Sequence, residues 1–320
     1  MTGVSNENNV ALIVGPTAVG KTEIALRLAE RLGAEIVSAD SRQIYCHLNI
    51  GTAKPSPDEL LRIPHHFIDV CDPDHYYSAG EYARAARRSI ADLLHRGVTP
   101  LVVGGSGFYL RALVDGLFAP ELSDPEIKAK WREAVRRRGV EAVHAELRRV
   151  DPKTAARLHP NDSQRIVRAM EVFELSGRPL SSFQRGREEP ADFTPLFFGL
   201  RRERPALAER IDRRVEWMIE AGLADEVRDL AGRGWGPELN ALRSVGYQEV
   251  FEFLAGRCSW EETIRLIKLN TRRYAKRQMT WFRRDARIHW IDLDRCRVQQ
   301  AVEILFGLLG KSAVPPHRLP

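Results

Sequence analysis

The chain has 320 residues, of which 43% are hydrophobic and 29% charged, and its net charge of +6 permits a polyanionic partner. No apolar run approaches the roughly 18 residues that a membrane span requires, which excludes a membrane-spanning helix. The first nine residues carry neither a basic cluster nor an apolar core, so the sequence predicts a cytoplasmic protein without a signal peptide. The four cysteines form no C-x-x-C pair, which predicts free thiols.

Residues 15–22 read GPTAVGKT and match the phosphate-binding pattern G-x-x-x-x-G-K-[ST]. An apolar stretch at 10–14 precedes them as a predicted strand, and apolar residues at helical spacing follow. This arrangement directs backbone N–H groups at a phosphate or diphosphate. Lys21 adds a positive charge, and the Thr22 hydroxyl is a candidate Mg²⁺ ligand. The predicted phosphate loop consists of Gly15, Pro16, Thr17, Ala18, Val19, Gly20, Lys21 and Thr22.

A second strand is predicted at 35–39, with Asp40 at its carboxyl end and Ser41, Arg42 and Gln43 directly after it. In open α/β sheets ligands bind at the carboxyl ends of the strands, so Asp40 and Lys21 are expected to face one crevice. The Asp40 carboxylate then has three interpretations. It is a Mg²⁺ ligand, a general base, or the N-cap of a following helix.

Residues 51–77 read as loop around a short strand at 67–70, and the His65–His66 pair lacks a third ligand, which favours a structural role. A capping box at Ser78 predicts a helix that ends at Gly97. The next strand, 101–103, runs into the glycine turn 104–107, which contains Ser106. This turn is either a substrate loop or a plain tight turn.

From 120 to 192 the strand-helix alternation stops, and three helices are predicted, opening at Asp124, Gly139 and Asp162. In the third, Ile166 and Val167 belong to the apolar face. Gln164, Arg165 and Arg168 indicate either anion contact or a solvated polar face, because cations near a helix N-terminus oppose its dipole. These observations predict a helical insertion at 120–192 in a core formed by 1–119 and 193–320.

The sheet pattern resumes at 196–200, and Pro205 opens a helix on which Arg210 and Arg214 either reach a diphosphate or face solvent. Between Arg265 and Arg287 nine cations stand against one acid, with aromatic residues interleaved. Cations attract phosphates and rings stack on exposed bases, so this segment indicates RNA binding. A final strand is expected at 289–293 and a final helix from Val298.

Taken together, the motifs resemble those of the tRNA dimethylallyltransferases, also called tRNA isopentenyltransferases. The residues that carry the resemblance, in family order, are GPTAVGKT at 15–22, SADSRQIY at 38–45, PHH at 64–66, GGSGFY at 104–109, QRIVRAMEV at 164–172, RSVGYQE at 243–249 and AKRQMTWFR at 275–283. Val19 and Ser106 depart from the family's usual Ser and Thr. The resemblance is to the bacterial form, since the zinc-finger extension of eukaryotic members is absent. The fold class expected is α/β, a P-loop NTPase-like parallel sheet flanked by helices, with an inserted all-helical domain.

The resemblance implies that the phosphate loop holds dimethylallyl diphosphate with Mg²⁺, and that Arg214 assists. The acceptor is the exocyclic amine of the adenosine adjacent to the anticodon in tRNAs reading codons that begin with U, with Asp40 as the base and Lys21 and Thr22 as further catalytic residues. A monomer without membrane contact is expected. The implied contacts to the tRNA anticodon stem-loop are Asp40, Ser41, Arg42, Gln43, Ser106, Lys128, Gln164, Arg165, Ile166, Val167, Arg168, Arg243, Ser244, Val245, Gly246, Tyr247, Gln248, Lys276, Arg277, Gln278, Met279, Thr280, Trp281, Phe282 and Arg283.

Two other classes stay open from the sequence. One is a small-molecule kinase, or a transferase that prenylates free adenine nucleotides, with Asp40 as its base. Such an enzyme leaves the basic segment unexplained. The other is a non-catalytic RNA-binding module that uses a nucleotide as a switch. That protein would bind tRNA equally well with Asp40 replaced by Asn.

Overall fold

The structure, a computed structural model, describes residues 8–117, 122–183 and 190–310. The chain divides into two compact units. One comprises Met1–Val114 with Ala191–Pro320, and we call it the core unit. The other, Asp115–Pro190, is the helical unit. Within the described ranges, no helix combines the length and the apolar character that crossing a membrane requires.

The core unit is built on a parallel sheet whose strand order is β3-β2-β4-β1-β5-β6. Every described pairing is parallel, so all carboxyl ends lie at one edge, and apolar residues fill the central strands because helices cover both faces. This confirms the predicted α/β class. The strands are β1 (Asn9–Val14), β2 (Glu35–Ser38), β3 (His65–His66), β4 (Pro100–Gly104), β5 (Thr194–Arg201) and β6 (His289–Asp292).

Helices connect the strands, and serine caps fix several of their starts. Ser56 and Ser78 each form a reciprocal capping box, and Ser259 accepts from the N–H of Glu262. The helices of the core unit are α1 (Lys21–Leu32), α2 (Pro57–Arg62), α3 (Ala79–His95), α4 (Gly107–Asp115), α10 (Arg204–Glu220), α11 (Leu223–Gly232), α12 (Tyr247–Leu254), α13 (Trp260–Phe282) and α14 (Val298–Gly310).

The helical unit contains α5 (Pro125–Arg138), α6 (Val140–Val150), α7 (Pro152–Ala155), α8 (Ser163–Ser176) and α9 (Leu180–Phe183). Trp131, Val143, Leu147, Ile166 and Met170 are members of its own buried cluster. Asp124 and Asp162 cap α5 and α8, as the sequence predicts.

Two sequence expectations were wrong in detail. The short strand expected at 67–70 lies at His65–His66, because Phe67 and Asp69 adopt positive φ angles of 66° and 53° that interrupt extended backbone. Within the stretch expected as loop, Pro57–Arg62 forms a helix behind the Ser56 and Glu59 capping box. The two histidines are structural: His66 contacts Glu35 at 2.7 Å, and His65 contacts the Ile63 carbonyl at 2.7 Å.

Candidate active site

The phosphate loop, residues 15–22, follows β1 and enters α1 at the carboxyl edge of the sheet. Gly15 has a φ of 151°, and a Cβ there would lie 2.7 Å from the Leu200 carbonyl oxygen of β5. Gly20, with a φ of 119°, caps α1 in a conformation that other residues rarely adopt. The loop is therefore held close to β5, with the N-terminus of α1 pointing into the space beyond the sheet edge.

Lys21 folds back over the loop and donates to the carbonyl oxygens of Gly15 at 3.0 Å and Pro16 at 2.8 Å. Burial and the neighbouring charge of Arg214 lower the pKa of Lys21 to about 7, and Asp40 opposes this shift. The charged amine of Lys21 is therefore not fully compensated by negative charge from neighbouring residues. An anion bound at the loop would supply it.

Two arginines one turn apart on α10 reach the same loop. Arg210 Nε donates to the Ala18 carbonyl at 2.8 Å, and Arg214 Nη1 lies 3.2 Å from Thr17 Oγ1. Burial and the charge of Arg210 lower the pKa of Arg214, although Asp40 acts in the opposite direction. The structure therefore contradicts the alternative in which these arginines face solvent. They and Lys21 form a cationic cradle around the loop.

Asp40 lies at the carboxyl end of β2, beside the cradle. Its Oδ1 accepts from the backbone N–H of Arg42 at 2.9 Å, and residues 41–44 form a turn, so Asp40 is not the N-cap of a helix. The next residue, Ser41, is fixed by Ser106, whose Oγ accepts from Ser41 N at 2.9 Å and donates to Ser41 Oγ at 3.2 Å. The carboxylate remains a candidate base or metal ligand.

The glycine turn, residues 104–107, packs against three neighbours. A Cβ at Gly104 would lie 2.2 Å from the Ala39 carbonyl oxygen, one at Gly105 2.4 Å from Gln278 Nε2, and one at Gly107 2.3 Å from the Trp281 ring. These glycines are needed because Ala39, directly after β2, and α13 approach the turn closely. Gly104 also lines the cleft, so the substrate-loop interpretation stays open beside the tight-turn interpretation.

These residues surround one cleft of about 1090 Å³. It is lined by residues of the phosphate loop, Asp40 to Gln43, residues 51–56, Arg210 and Arg214, residues 243–246, and Ile267, Thr271, Tyr274, Arg277 and Gln278 of α13. The structure thus brings together, in the core unit, most of the predicted catalytic and diphosphate-binding residues and part of the predicted tRNA-binding set.

Several predicted tRNA contacts hold loops around the cleft instead of presenting free polar groups. Arg42 Nη1 donates to the carbonyls of Asn240 and Ala241, the latter at 3.2 Å. Gln43 donates to the Thr52 and Ala53 carbonyls, and Gln248 to those of Pro237 and Leu242. Arg243, Ser244 and Val245 lie at the cleft surface.

The side chains of five predicted tRNA contacts are buried, as are Ser106 and Gly246, and their contact with tRNA stays a prediction. Ile166, Val167, Tyr247 and Phe282 pack inside the protein because their rings and aliphatic side chains form its cores, and Gln278 is buried with its amide bonded to main-chain groups. In the helical unit Gln164 and Arg165 are exposed and Lys128 is partly so, whereas Arg168 is bonded to the Leu122 carbonyl and Glu171.

The basic helix α13 is less unbalanced than its sequence indicates. Lys268 pairs with Glu216 and Arg272 with Asp212, both on α10, while Arg265 and Arg287 pair with acids near them in sequence. Within the described ranges, Arg273, Lys276, Arg277, Arg283 and Arg284 have no acidic partner within ion-pair distance. Met279 is half-buried and Thr280 exposed; Trp281 keeps 38% of its surface exposed.

Sequence reasoning missed two residues that shape the site. Arg202 Nε donates to the Val19 carbonyl at 3.1 Å. Its place directly after β5, at the edge where ligands bind, was the available signal. Glu226 accepts from the N–H groups of Asn49, Ile50 and Gly51 and so fixes the loop at 49–51. No local sequence pattern predicts that contact, because the partners are about 175 residues apart.

Among the described residues, no group of three or more His, Cys, Asp or Glu side chains could hold a metal ion. Thr22 and Asp40 nevertheless present oxygen donors to the cleft. Mg²⁺ is commonly held by one or two protein oxygens together with phosphate oxygens and water. These donors fit a Mg²⁺ ion, which Thr22 would hold.

A glycine-bounded phosphate loop with its lysine, a carboxylate at the neighbouring strand end and a basic cleft define an enzyme of the phosphate-loop class. The family described as IPP transferase matches residues 43–285, and the family described as isopentenyl transferase matches residues 8–75. The chain therefore belongs to the tRNA dimethylallyltransferase family, whose members are prenyl transferases.

Relatives cover nearly the whole chain. A tRNA dimethylallyltransferase of Pelobacter propionicus is 49% identical over 88% of this chain and 92% of its own length, and one of Geobacter sulfurreducens is 47% identical over 90% and 93%. The crystal structure of a tRNA isopentenylpyrophosphate transferase from Bacillus halodurans is 36% identical, covers 96% of this chain and 98% of its own, and has a TM-score of 0.70. A eukaryotic dimethylallyltransferase, described as acting on tRNA, is 26% identical with a TM-score of 0.80 and covers 97% and 81%.

Proposed function

We propose that this protein transfers the dimethylallyl group of dimethylallyl diphosphate to the exocyclic amine of an adenosine in tRNA and releases diphosphate. The observation that carries the proposal is the cationic cradle of Lys21, Arg210 and Arg214 beside the Asp40 carboxylate in one cleft. The names of the relatives support the donor group and the tRNA acceptor.

The chemistry follows from these groups. The adenine amine is a weak nucleophile because its lone pair is delocalised into the ring. As its nitrogen bonds to the allylic carbon, the carbon–oxygen bond to the diphosphate breaks and that electron pair stays on oxygen. Asp40 takes the proton from nitrogen, and Lys21 and Arg214 stabilise the negative charge that gathers on the leaving group. When bound through Thr22, Mg²⁺ would supply further positive charge to the diphosphate.

The finer part of the proposal concerns the acceptor. We assign the adenosine adjacent to the anticodon in tRNAs that read codons beginning with U. A base must leave the stacked loop to enter the cleft, which costs a few kcal/mol that RNA contacts offset. Exposed groups suited to this are Arg243, Lys276, Arg277, Trp281 and Arg283 of the core unit and Gln164 and Arg165 of the helical unit.

The predicted insertion at 120–192, which corresponds to the helical unit Asp115–Pro190, is therefore assigned a tRNA-contacting role, and Lys128 on α5 belongs to the same proposal. Because the acceptor is tRNA, the proposed location is the cytoplasm. The proposed active form is a monomer, since one core unit carries the whole cradle, the carboxylate and a basic surface.

The decisive experiment is transfer of radiolabelled dimethylallyl groups to unmodified total bacterial tRNA. Wild type is compared with Asp40→Asn and with Asp74→Asn, a matched change at an exposed aspartate outside the cleft. We expect Asp40→Asn to lower the rate at least about a hundredfold at unchanged tRNA affinity, and Asp74→Asn to leave it unchanged. ATP consumption without labelled tRNA would replace the proposal with a kinase. If wild type and Asp40→Asn bind tRNA equally and wild type transfers no label, the protein is an RNA-binding module instead.

A further inference from the structure

Gln278 is a predicted RNA contact whose side-chain amide bonds to backbone groups at the active site through both its oxygen and its nitrogen. It lies on α13 with 7% of its surface exposed. Its Oε1 accepts from Thr17 N at 2.8 Å, and its Nε2 donates to the Gly105 carbonyl at 2.9 Å. One planar group thus connects the middle of the phosphate loop to the glycine turn.

The glycine turn packs closely against this amide. A Cβ at Gly105 would lie 2.4 Å from Gln278 Nε2 and 3.3 Å from the Gly15 carbonyl oxygen, so the turn, the amide and the loop are in mutual contact. The site needs an acceptor and a donor on one uncharged side chain. Asparagine has both but is one methylene shorter, and glutamate has no donor when ionised.

The two segments that Gln278 connects serve different parts of the proposed reaction: the phosphate loop faces the diphosphate, and the glycine turn holds the segment that carries the base. Thr17 is held through its N–H by Gln278 and through its hydroxyl by Arg214 at 3.2 Å, which fixes the loop that faces the diphosphate. The glycine turn holds Ser41 through Ser106 at 2.9 Å, and Ser41 follows Asp40. The chain of contacts from phosphate loop to base therefore passes through Gln278.

We propose that Gln278 is a positioning residue that sets the phosphate loop against the Asp40 segment, and that it does not contact tRNA. This inference rests on the proposed function for its kinetic consequences. Misplacement of reacting groups by about 1 Å can cost roughly a hundredfold in rate. Loss of the amide is therefore expected to affect the diphosphate substrate and the chemical step, and to leave tRNA binding alone.

The first test replaces the amide with an isosteric apolar group. Gln278→Met is compared with wild type and with Gln299→Met, the same change at an exposed glutamine on α14. We expect the KM for dimethylallyl diphosphate to rise and kcat to fall, each at least about tenfold, with the KM for tRNA within about twofold. A raised tRNA KM with unchanged diphosphate kinetics would overturn the inference, and so would no change in any parameter. If Gln278→Met does not fold, Gln278→Asn takes its place under the same criteria.

A second test approaches the same contact from the turn. Gly105→Ala should displace the amide and reproduce the kinetic pattern of Gln278→Met, and the double variant should be no worse than either single one because the two changes break one contact. If the kinetic losses of the two single variants added fully in the double variant, the two changes would not act through one contact.

Calorimetric titration with inorganic diphosphate and Mg²⁺ separates the two proposals. Weaker binding by Gln278→Met, by at least about tenfold, supports the positioning role even if wild type transfers no prenyl group. Transfer by wild type with unchanged diphosphate affinity and kinetics in the variant would retain the function and discard the role of Gln278.

Discussion

The hydroxyl of Tyr247 donates to Oε1 of Glu226 at 2.6 Å, and the same carboxylate accepts from the N–H groups of Asn49, Ile50 and Gly51. The Tyr247 ring also fills the space in which a Cβ of Gly51 would lie, 2.5 Å away. Burial and the Glu226 charge raise the pKa of Tyr247 well above its usual value, so the phenol remains a donor. One carboxylate from α11 therefore anchors the loop that continues into the wall of the cleft.

Removing this carboxylate should loosen the loop more than removing the phenol. Glu226→Ala leaves several donors without an acceptor and should cost about 2–4 kcal/mol of unfolding free energy, whereas Tyr247→Phe should cost about 0.5–1.5 kcal/mol. Urea unfolding measures the unfolding free energies of both variants, and amide hydrogen exchange at residues 49–54 shows whether the loosening is confined to this loop. Equal costs for the two variants would contradict a hub centred on Glu226.

Diphosphate binding should take up a proton above neutral pH. The pKa of Lys21 is lowered to about 7, so the amine of the free protein loses its proton as pH rises through that value. A bound diphosphate favours the charged amine and raises its pKa, so at about pH 8 binding should be accompanied by uptake of up to about one proton. The contribution of Lys21 to diphosphate affinity is then largest below pH 7 and declines above it.

Calorimetry with inorganic diphosphate at pH 8, in buffers of different ionisation enthalpy, measures this uptake. Lys21→Met should abolish the lysine's share, while Lys276→Met, at an exposed position outside the cradle, should retain it. The same proton count in Lys21→Met as in wild type would rule out the lysine as the source.

The cations of α13 should differ in their contribution to RNA affinity. Arg277 lies over the Tyr274 ring, 5.7 Å from its centroid, and lines the cleft, whereas Arg265 pairs with Glu262 at 2.6 Å. Arg277→Ala should lower the slope of log affinity against log salt by about one, and Arg265→Ala should change it little. Filter binding of an anticodon stem-loop at several salt concentrations provides the test, and equal slopes for both variants would be the contrary result.

The glycine turn should reject a methyl group at Gly104. The nearest obstacle is the Ala39 backbone at 2.2 Å, which cannot swing aside as a side chain can, so Gly104→Ala should cost about 1–3 kcal/mol or more. Gly97→Ala is the control, because Gly97 has a φ of 71° but nothing within 4 Å, and should cost about 1 kcal/mol from backbone strain alone. Denaturant unfolding compares them, and a smaller cost at Gly104 would contradict the close approach.

Local patterns predicted the parts of the fold whose causes are local. The phosphate loop, the strands around it and the capped helices follow from apolar periodicity, glycine positions and serine or aspartate caps. Short elements such as α2 and α12 escaped because one or two turns leave little periodicity to detect. The α/β architecture and its helical insertion were therefore predictable, whereas the ends of short elements were not.

The site was predictable only where a residue acts through its own motif. Lys21 stands out by the phosphate-loop pattern and Asp40 by its place after a strand, but Gln278 bonds to Thr17 across 261 positions of sequence. The acids that neutralise Lys268 and Arg272 come from α10, 52 and 60 residues earlier. Counting charges along one helix cannot reveal partners on another, which is why the basic segment seemed more unbalanced than it is.

Those ion pairs also make the charge of α13 uneven along its length. Glu216 and Asp212 neutralise Lys268 and Arg272, while Arg273, Lys276 and Arg277 have no acidic partner within ion-pair distance in the described part of the chain. The cations of α13 without an acidic partner therefore lie in its C-terminal half, which leads to Trp281 and the glycine turn. A diffusing polyanion would be steered to that end on first encounter, before any base is read.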